Sequence, residues 1–363
     1  MVNLQTLTIK DFDKWRGIIQ SSVNYDFYHL PCYHALAEER GEGTAYLYVY
    51  RKNQYMIALP LLVRPVQEVP GLEILGKDLW DATSVYGYAG PVFSHFPIPE
   101  DVINGFHDSL RQVLLQNNII TVFSRLHTFI PQADILNGLG TISVSGVTVS
   151  IDLTLPIDVQ RHQYSKGHKS GINKLRELGV ECYHDEKMEY LDDFIDIYYE
   201  TMNRVNAEKY YYFNKAYFER LISCLGAQVH HFMCTLKGKI ICSGMYVRCN
   251  DMVQSHLGGT RTEFMPLAPR KLEKDTVRIW ATRQGARIFH LGGGLGAKRD
   301  SLYTFKAGFS KKRHDFKIWK WVVNPEIYEN LCTELGKDQY LEKSNGEVYN
   351  NSYFPVYRNY VNI

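Results

Sequence analysis

The hydrophobic spacing of this sequence switches from a helical period to a strand period and back, in the same order, twice. That double order restricts the chain to two α/β units of similar topology. In the first half, Phe12, Trp15, Ile18 and Ile19 recur at helical spacing behind Asp11, a capping residue type, and a second helix over about residues 31–40 stops at Gly41. TAYLYVY and YMIALPLLV follow, rich in β-formers and parted by the turn residues Lys52 and Asn53. After a loop and SVYGYAGPVF come a helix over about residues 99–116, the strand IITVFSRL, and the strand VTVSIDL leading into Pro156. The second half gives helices over about residues 169–178 and 191–204, and a third capped by Asn214 and ended by Gly226. HHFMCTL and IICSGMYV then flank Lys237-Gly238-Lys239, followed by MVQSHLGGT, a helix over about residues 267–284, ARIFHLGGG and DFKIWKWVV. Residue identities do not repeat between the halves, so element order alone argues for duplication.

Two units of about 150 residues fit the 363-residue length. The order of elements divides the chain into a first domain (1–155), a second (156–324), and a tyrosine-rich tail (325–363) expected to pack back on the first. With 45% hydrophobic and 22% charged residues, the chain has enough apolar material for sizeable cores and is not a disordered composition. Lys and Arg number 41 against 39 Asp and Glu, which excludes a strongly polybasic protein but leaves room for a local basic groove. The seven cysteines form no CxxC pair and are odd in number, so neither a disulfide framework nor a zinc ribbon is suggested. No apolar run approaches the roughly 20 residues that span a bilayer, and MVNLQTLTIKDFDKW carries charges where a signal peptide needs an apolar stretch. A cytoplasmic location is expected, with peripheral association at the inner membrane face left open.

Gly292, Gly293, Gly294 and Gly296 follow an apolar strand, an arrangement that lets backbone amides approach a ligand, or that simply makes a tight turn. It matches neither GxGxxG opening a helix nor GxxxxGK[ST]. Lys306 stands between Phe305 and Gly308; a partly buried ammonium there would stabilise charge on a tetrahedral intermediate, and the plain alternative is a solvated lysine. From Arg161 through Lys166, Lys169 and Lys174 to Arg176 no acidic residue intervenes, which suits a diphosphate or RNA backbone, or an exposed helix face. Asp192, Asp193, Asp196 and Glu200 read as a solvated face. His230 and His231 point to opposite sides of a strand, and His256 and His290 lack a third ligand. No GxSxG elbow or cysteine nucleophile motif occurs, so neither metal nor covalent-nucleophile chemistry is expected.

Several segments, in order, resemble the FemABX family of peptidyl (aminoacyl) transferases and the related FemAB-like acetyltransferases, within the wider GNAT-fold group. They are Asp81 with Tyr86-Gly87-Tyr88-Ala89-Gly90-Pro91; Tyr198-Tyr199-Glu200-Thr201-Met202-Asn203-Arg204; Tyr211-Tyr212-Phe213; His256-Leu257-Gly258-Gly259-Thr260; His290-Leu291-Gly292-Gly293-Gly294; and Ser301 to Phe309. The resemblance implies an α/β fold of two GNAT-like domains with mixed sheets and a cleft between them. It also implies transfer of an acyl or aminoacyl group to an amine of a cell-envelope precursor, nucleotide- or lipid-linked, as in peptidoglycan assembly. Carried over, the family's Phe-Lys pair near the reacting centre matches Phe305 and Lys306. Asp81, Tyr86, Arg204 and His256 match patterned positions and are expected to bind substrate. So are Arg161, Lys166 and Lys169, and Gly292, Gly293 and Gly294 of the glycine loop. No tightly bound cofactor is implied; the donor is aminoacyl-tRNA, with tRNA as partner, or acyl-CoA. The region 160–210 has no room for the coiled-coil arm of some members. Pro266-Leu267-Ala268-Pro269-Arg270-Lys271 stands where acetyl-CoA enzymes place a glycine-bearing pyrophosphate loop, and Pro269 lacks a donor amide. Two alternatives remain: an acyl-CoA-dependent N-acetyltransferase acting on an amino sugar of a surface polysaccharide, and a non-catalytic GNAT-like binding module.

Overall fold

A computed structural model describes residues 4–340, 342–344, 347–349 and 353–359. The strands are β1 (Leu4–Thr8), β2 (Thr44–Lys52), β3 (Tyr55–Pro65), β4 (Trp80–Thr83), β5 (Val92–Phe93), β6 (Ile119–Arg125), β7 (Thr141–Asp152), β8 (Glu181–Asp185), β9 (Val229–Leu236), β10 (Lys239–Cys249), β11 (Met252–Thr260), β12 (Ile288–Gly292) and β13 (Lys312–Val322). The helices are α1 (Phe12–Gln20), α2 (Pro31–Glu39), α3 (Glu100–Gln116), α4 (Gln132–Leu136), α5 (Ile157–His162), α6 (Lys166–Glu177), α7 (Leu191–Arg204), α8 (Lys215–Leu225), α9 (Arg270–Arg283), α10 (Ser301–Ala307) and α11 (Pro325–Glu334).

Tertiary contacts divide the chain into unit 1, Met1–Ser145 with Phe316–Ile363, and unit 2, Gly146–Asp315. In unit 1, β1, β2, β3 and β4 pair antiparallel in that order, β4 pairs β6 in parallel, and β13 closes the far side antiparallel to β6. Unit 2 repeats the pattern: β8, β9, β10 and β11 are antiparallel neighbours, β11 and β12 are parallel, and β7 closes on β12. Each is a mixed sheet of GNAT type. The longest helix among the described residues is α3, with 17 residues, so no coiled-coil arm is present there. No described helix is long and apolar enough to cross a membrane.

The unit limits fall inside β7 and β13, not at 155 and 324 where the sequence suggests a division. The reason is pairing: Ile318 to Val322 of β13 bond Thr121 to Arg125 of β6, whereas Val149 to Asp152 of β7 bond β12. The outer strand of unit 1 is therefore supplied after the whole of unit 2 in the sequence.

Local chemistry explains most elements. Asn53, in the left-handed region at φ 55°, turns β2 onto β3. Asn214 Oδ1 accepts from the Tyr217 amide at 2.9 Å to cap α8, and Gly226 ends that helix at φ 53°. Helix α3 buries Val102, Phe106, Leu110 and Leu114 against Ile57, Leu59, Leu61 and Val122 of its sheet. Each such fully buried side chain contributes about 1.5–3 kcal/mol of apolar transfer. In the tail, Tyr328, Leu331, Phe354, Val356 and Tyr357 pack with Val66, Leu72 and Ile120 in unit 1; residues 341, 345–346, 350–352 and 360–363 lie outside the described residues.

Candidate functional site

The site is built where the parallel pair of unit 2 comes apart. Strands β11 and β12 pair only over Met252↔Ile288, Val253↔Phe289 and Gln254↔His290. Both then run on without pairing each other, β11 to Thr260 and β12 to Gly292. Each is irregular at that point. Residue 256 drops out of the β10–β11 register, which passes from Tyr246↔Ser255 to Met245↔Leu257, and β12 shifts against β7 between His290 and Gly292. Such bulges re-aim side chains at the end of a ladder.

Helix α9, which links these two strands, turns charged residues inward. Glu273, Lys274, Asp275 and Arg278 are all buried, beside Leu272, Val277 and Ala281. Arg270 donates to Glu273 Oε1 at 3.0 Å and to the Ser243 carbonyl. A Cβ at Gly244 or Gly258 would meet this pair, so glycine at both positions gives the two side chains their place against the strands. Lys274, 2% exposed, donates to Tyr246 Oη at 2.8 Å and lies 2.6 Å from Ser255 Oγ. Its ammonium sits 4.5 Å from the centre of the Tyr246 ring and 6.0 Å from that of Phe289. Burial holds the Lys274 pKa well below the ordinary lysine range; Arg270 and Lys306 lower it further, and Glu273 opposes them.

Lys306, on α10, donates to the Gly293 carbonyl at 2.6 Å. Burial brings its pKa down to about 8, with Arg270 adding to the effect and Asp300 opposing it. At neutral pH it remains mostly an ammonium. The glycine loop is closed by Asp300, which caps α10 through the Tyr303 amide at 2.8 Å and also accepts from the Leu295 amide at 2.9 Å. Gly292 adopts φ 77°, and a Cβ at Gly294 would run into Asp300. Gly293 offers its carbonyl to Lys306, so the loop helps to position the lysine.

The other sequence-marked residues are placed as follows. The Phe305 ring packs on His168 and Phe309, at 5.5 and 5.4 Å between centroids, and its carbonyl accepts from His168 at 2.9 Å. Arg161 and Arg176 both bind Asp275 Oδ2 at 2.9 Å, and Arg278 and Tyr164 hold its other oxygen. Two members of the basic cluster are thus engaged in a buried ion hub. Lys169 caps the end of α5 by donating to the His162 carbonyl at 2.9 Å, and Lys166 is exposed at the start of α6. Arg204 ties α7 to the end of β11 through the Thr260 carbonyl at 3.1 Å and Thr262 Oγ1 at 3.0 Å. His256 stands at the bulge of β11, half-buried. In unit 1, Asp81 is fully buried between Arg64, at 2.6 Å, and Arg358, with Tyr357 Oη at 3.3 Å. Tyr86 is half-buried and its carbonyl accepts from Tyr33 Oη at 3.1 Å.

Sequence reasoning missed Arg270, Glu273, Lys274, Tyr246 and Ser255. One signal was available: RKLEKDTVRIWATR puts charges at 270, 274 and 278, on the stripe that Val277 and Ala281 mark as inward. A second relay was missed too. His231 Nδ1 contacts Asp185 at 2.9 Å and its Nε2 contacts Ser243 Oγ, but Ser243 is fully buried, so this set joins β8, β9 and β10 and meets no solute.

No protein-family model matches the chain, and no curated protein matches it in sequence. Solved structures do. FemX is 12% identical with a TM-score of 0.67, over 90% of this chain and 99% of that one. A conserved protein of unknown function from Bacteroides thetaiotaomicron is 11% identical with a TM-score of 0.55, over 88% and 99%. L-PGS from Bacillus licheniformis is 11% identical with a TM-score of 0.53, over 86% and 92%. At these identities the likeness establishes architecture. The chain has the two-unit, GNAT-like fold of FemX, in agreement with the family that its sequence segments resemble.

Proposed function

We propose that the chain is an N-acyltransferase of FemABX type, moving an aminoacyl group from aminoacyl-tRNA to an amine of a cell-envelope precursor on the cytoplasmic side of the membrane. The observation that carries this reading is Lys306. Its ammonium lies at the end of the parted strands, held by the Gly293 carbonyl alone among the described hydrogen bonds. The remaining N–H groups are available to a carbonyl oxygen that gains negative charge as an amine attacks. Preference for aminoacyl-tRNA over acyl-CoA rests on the start of α9. The amides of Ala268, Lys271, Leu272 and Glu273 already donate to Met265, Ala268 and Pro269 carbonyls, and Pro269 has none to give.

Thermal unfolding in parallel with acetyl-CoA, charged and uncharged tRNA, UDP-linked muropeptide precursor and phosphatidylglycerol vesicles tests the reading. The last arm is included because a lysylphosphatidylglycerol synthetase domain, a putative one from Agrobacterium fabrum, is among the similar structures, at a TM-score of 0.51. A ligand at about 100 times its dissociation constant adds roughly 2.7 kcal/mol. Stabilisation by charged tRNA and a precursor is the expected result. Stabilisation by acetyl-CoA alone would replace it with the sugar N-acetyltransferase, and binding with no product from any donor would leave a binding module.

A further inference from the structure

Asp275 of α9 carries one negative charge and is shared by three guanidiniums. Arg278 donates to its Oδ1 at 2.9 Å and Tyr164 Oη to the same oxygen at 3.1 Å, while Arg161 and Arg176 both donate to Oδ2 at 2.9 Å. Asp275 and Arg278 are buried, but the side chains of Arg161 and Arg176 are 25% and 47% exposed. One carboxylate does not balance three cations, so the hub holds an excess of positive charge, which reaches the surface at these two arginines. A guanidinium has five N–H groups. Arg161 places one on Asp275 and one on Asn173 Oδ1 at 2.9 Å; Arg176 places one on Asp275 alone among the described hydrogen bonds. Asp275 thus fixes two guanidiniums side by side with donors left over, a pre-organised pair of the kind that binds phosphate oxygens.

The pair ends a longer stripe. Lys166, Lys169, Asn173 and Arg176 recur every third or fourth residue of α6, beside the face that buries His168, Ile172 and Leu175. From Lys166 to Arg176 the stripe is about 15 Å long. Over residues 157–177, five Lys and Arg stand against two acids, Asp158 and Glu177. The stripe begins beside α10: the Ser165 amide donates to the Gly308 carbonyl at 2.8 Å, and His168 Nε2 lies 2.9 Å from the Phe305 carbonyl. Phe305 is followed by Lys306, so the basic stripe starts next to the segment that carries the ammonium of the candidate site.

We propose that Arg161 and Arg176, with Lys166 and Lys169, bind successive phosphates of an RNA strand whose 3′ end reaches Lys306. The inference rests on the aminoacyl-tRNA reading and gives that donor a docking surface within unit 2. Length selects the ligand. One strand of a nucleic-acid duplex presents a phosphate about every 3.4 Å of axis, so about four fall along the stripe, whereas a single diphosphate meets only one end of it. Such contacts supply affinity and orientation without reading bases.

The test uses the full chain and fluorescein-labelled uncharged tRNA, read by anisotropy over a salt series, with binding of UDP-linked muropeptide precursor measured in parallel. Arg176→Gln and Arg161→Gln, which keep an N–H for Asp275 and remove the charge, should each weaken tRNA binding about tenfold. Each should also flatten the slope of log affinity against log salt by about 1, as should Lys166→Ala, and precursor affinity should stay as it is. Lys187→Ala, at a side chain 83% exposed on the loop after β8, should change neither. Unaltered tRNA affinity and slope in the folded variants would overturn the proposal. So would a loss of precursor affinity with tRNA binding intact, which would assign the pair to a nucleotide diphosphate. If the arginine variants do not fold, Lys166→Ala, at the exposed start of α6, still decides. Wild-type protein that binds no tRNA would sink the aminoacyl-tRNA reading together with this surface; tRNA binding and transfer that survive every substitution would remove the surface alone.

Discussion

Helices α3 and α9 hold the same place in their units, each connecting the two parallel strands of a mixed sheet, yet one turns an apolar face inward and the other carries buried charges to the candidate site. Helix α3 turns Val102, Phe106, Leu110 and Leu114 inward. Its strands stay joined past their ladder, through the Ser84 amide to the Phe123 carbonyl at 2.9 Å and a bridge between Ala89 and Leu126. Helix α9 turns Glu273, Lys274, Asp275 and Arg278 inward, and its strands stop pairing after three residues. Topology is therefore neutral between packing and chemistry. What differs is whether the connecting helix turns apolar or charged side chains inward, and whether the two parallel strands stay joined past their ladder.

The sharpest way to break this contrast is to make the two helices alike. Phe106→Ala in α3 is expected to cost about 3–5 kcal/mol in denaturant unfolding by leaving a cavity, and Glu273→Ala in α9 about 2–3 kcal/mol by leaving the half-buried Arg270 without its carboxylate. Replacing Arg270 and Glu273 together by Met and Leu should recover stability while transfer stays lost; recovered transfer would show that the charges serve folding alone. Next in size, Lys306→Ala should lower kcat by about 100- to 1000-fold with less change in KM. Wild-type activity should fall as pH rises through about 8, where the Lys306 ammonium is lost, and a Lys306→Arg variant should shift that limb upward.

Smaller effects test the ties that hold unit 2 in shape. Burial pushes the Asp185 carboxyl up, but hydrogen bonds from His231 and the Tyr190 and Glu189 amides outweigh it and bring the pKa to about 2. A carboxyl depressed on folding stabilises above its unfolded value, near pH 4, and that contribution disappears as pH falls through about 2. Asp185→Asn should therefore lose about 2 kcal/mol at neutral pH and flatten the acid limb of stability. Smallest of all, Asn214→Ala removes the α8 cap and should cost about 1 kcal/mol without altering transfer.

Long periodic elements were legible in the sequence. The apolar faces of α3 and α8, the β2–β3 hairpin and the Asn214–Gly226 limits of α8 all follow from local rules. Short β4 and β8 escaped, because WDAT and ECYHD owe their pairing to neighbours rather than to an alternating pattern. The ends of the domains escaped for a similar reason: nothing local in VTVSIDL or DFKIWKWVV states which sheet each strand will join. Within the candidate site, Lys306 and the glycine loop were singled out through a segment that resembles a known family. Lys274 and Ser255 were not, since they lie 19 positions apart and meet only when α9 folds over β11.

The exchange of outer strands also sets the order in which the chain can finish folding as it is synthesised. Strand β6 keeps an open edge until Val322 has been made, because its partner β13 is encoded after everything in unit 2. Unit 2, by contrast, is one uninterrupted stretch that carries β8 to β12 whole and the part of β7 that pairs with β12. The half that begins second is thus the first able to close, and the earlier half must wait with an exposed strand edge, the feature most prone to wrong pairing in a nascent chain. A fragment cut near 155 would keep that open edge permanently, whereas residues 146–315 would keep every pairing from β8 through β12 to β7.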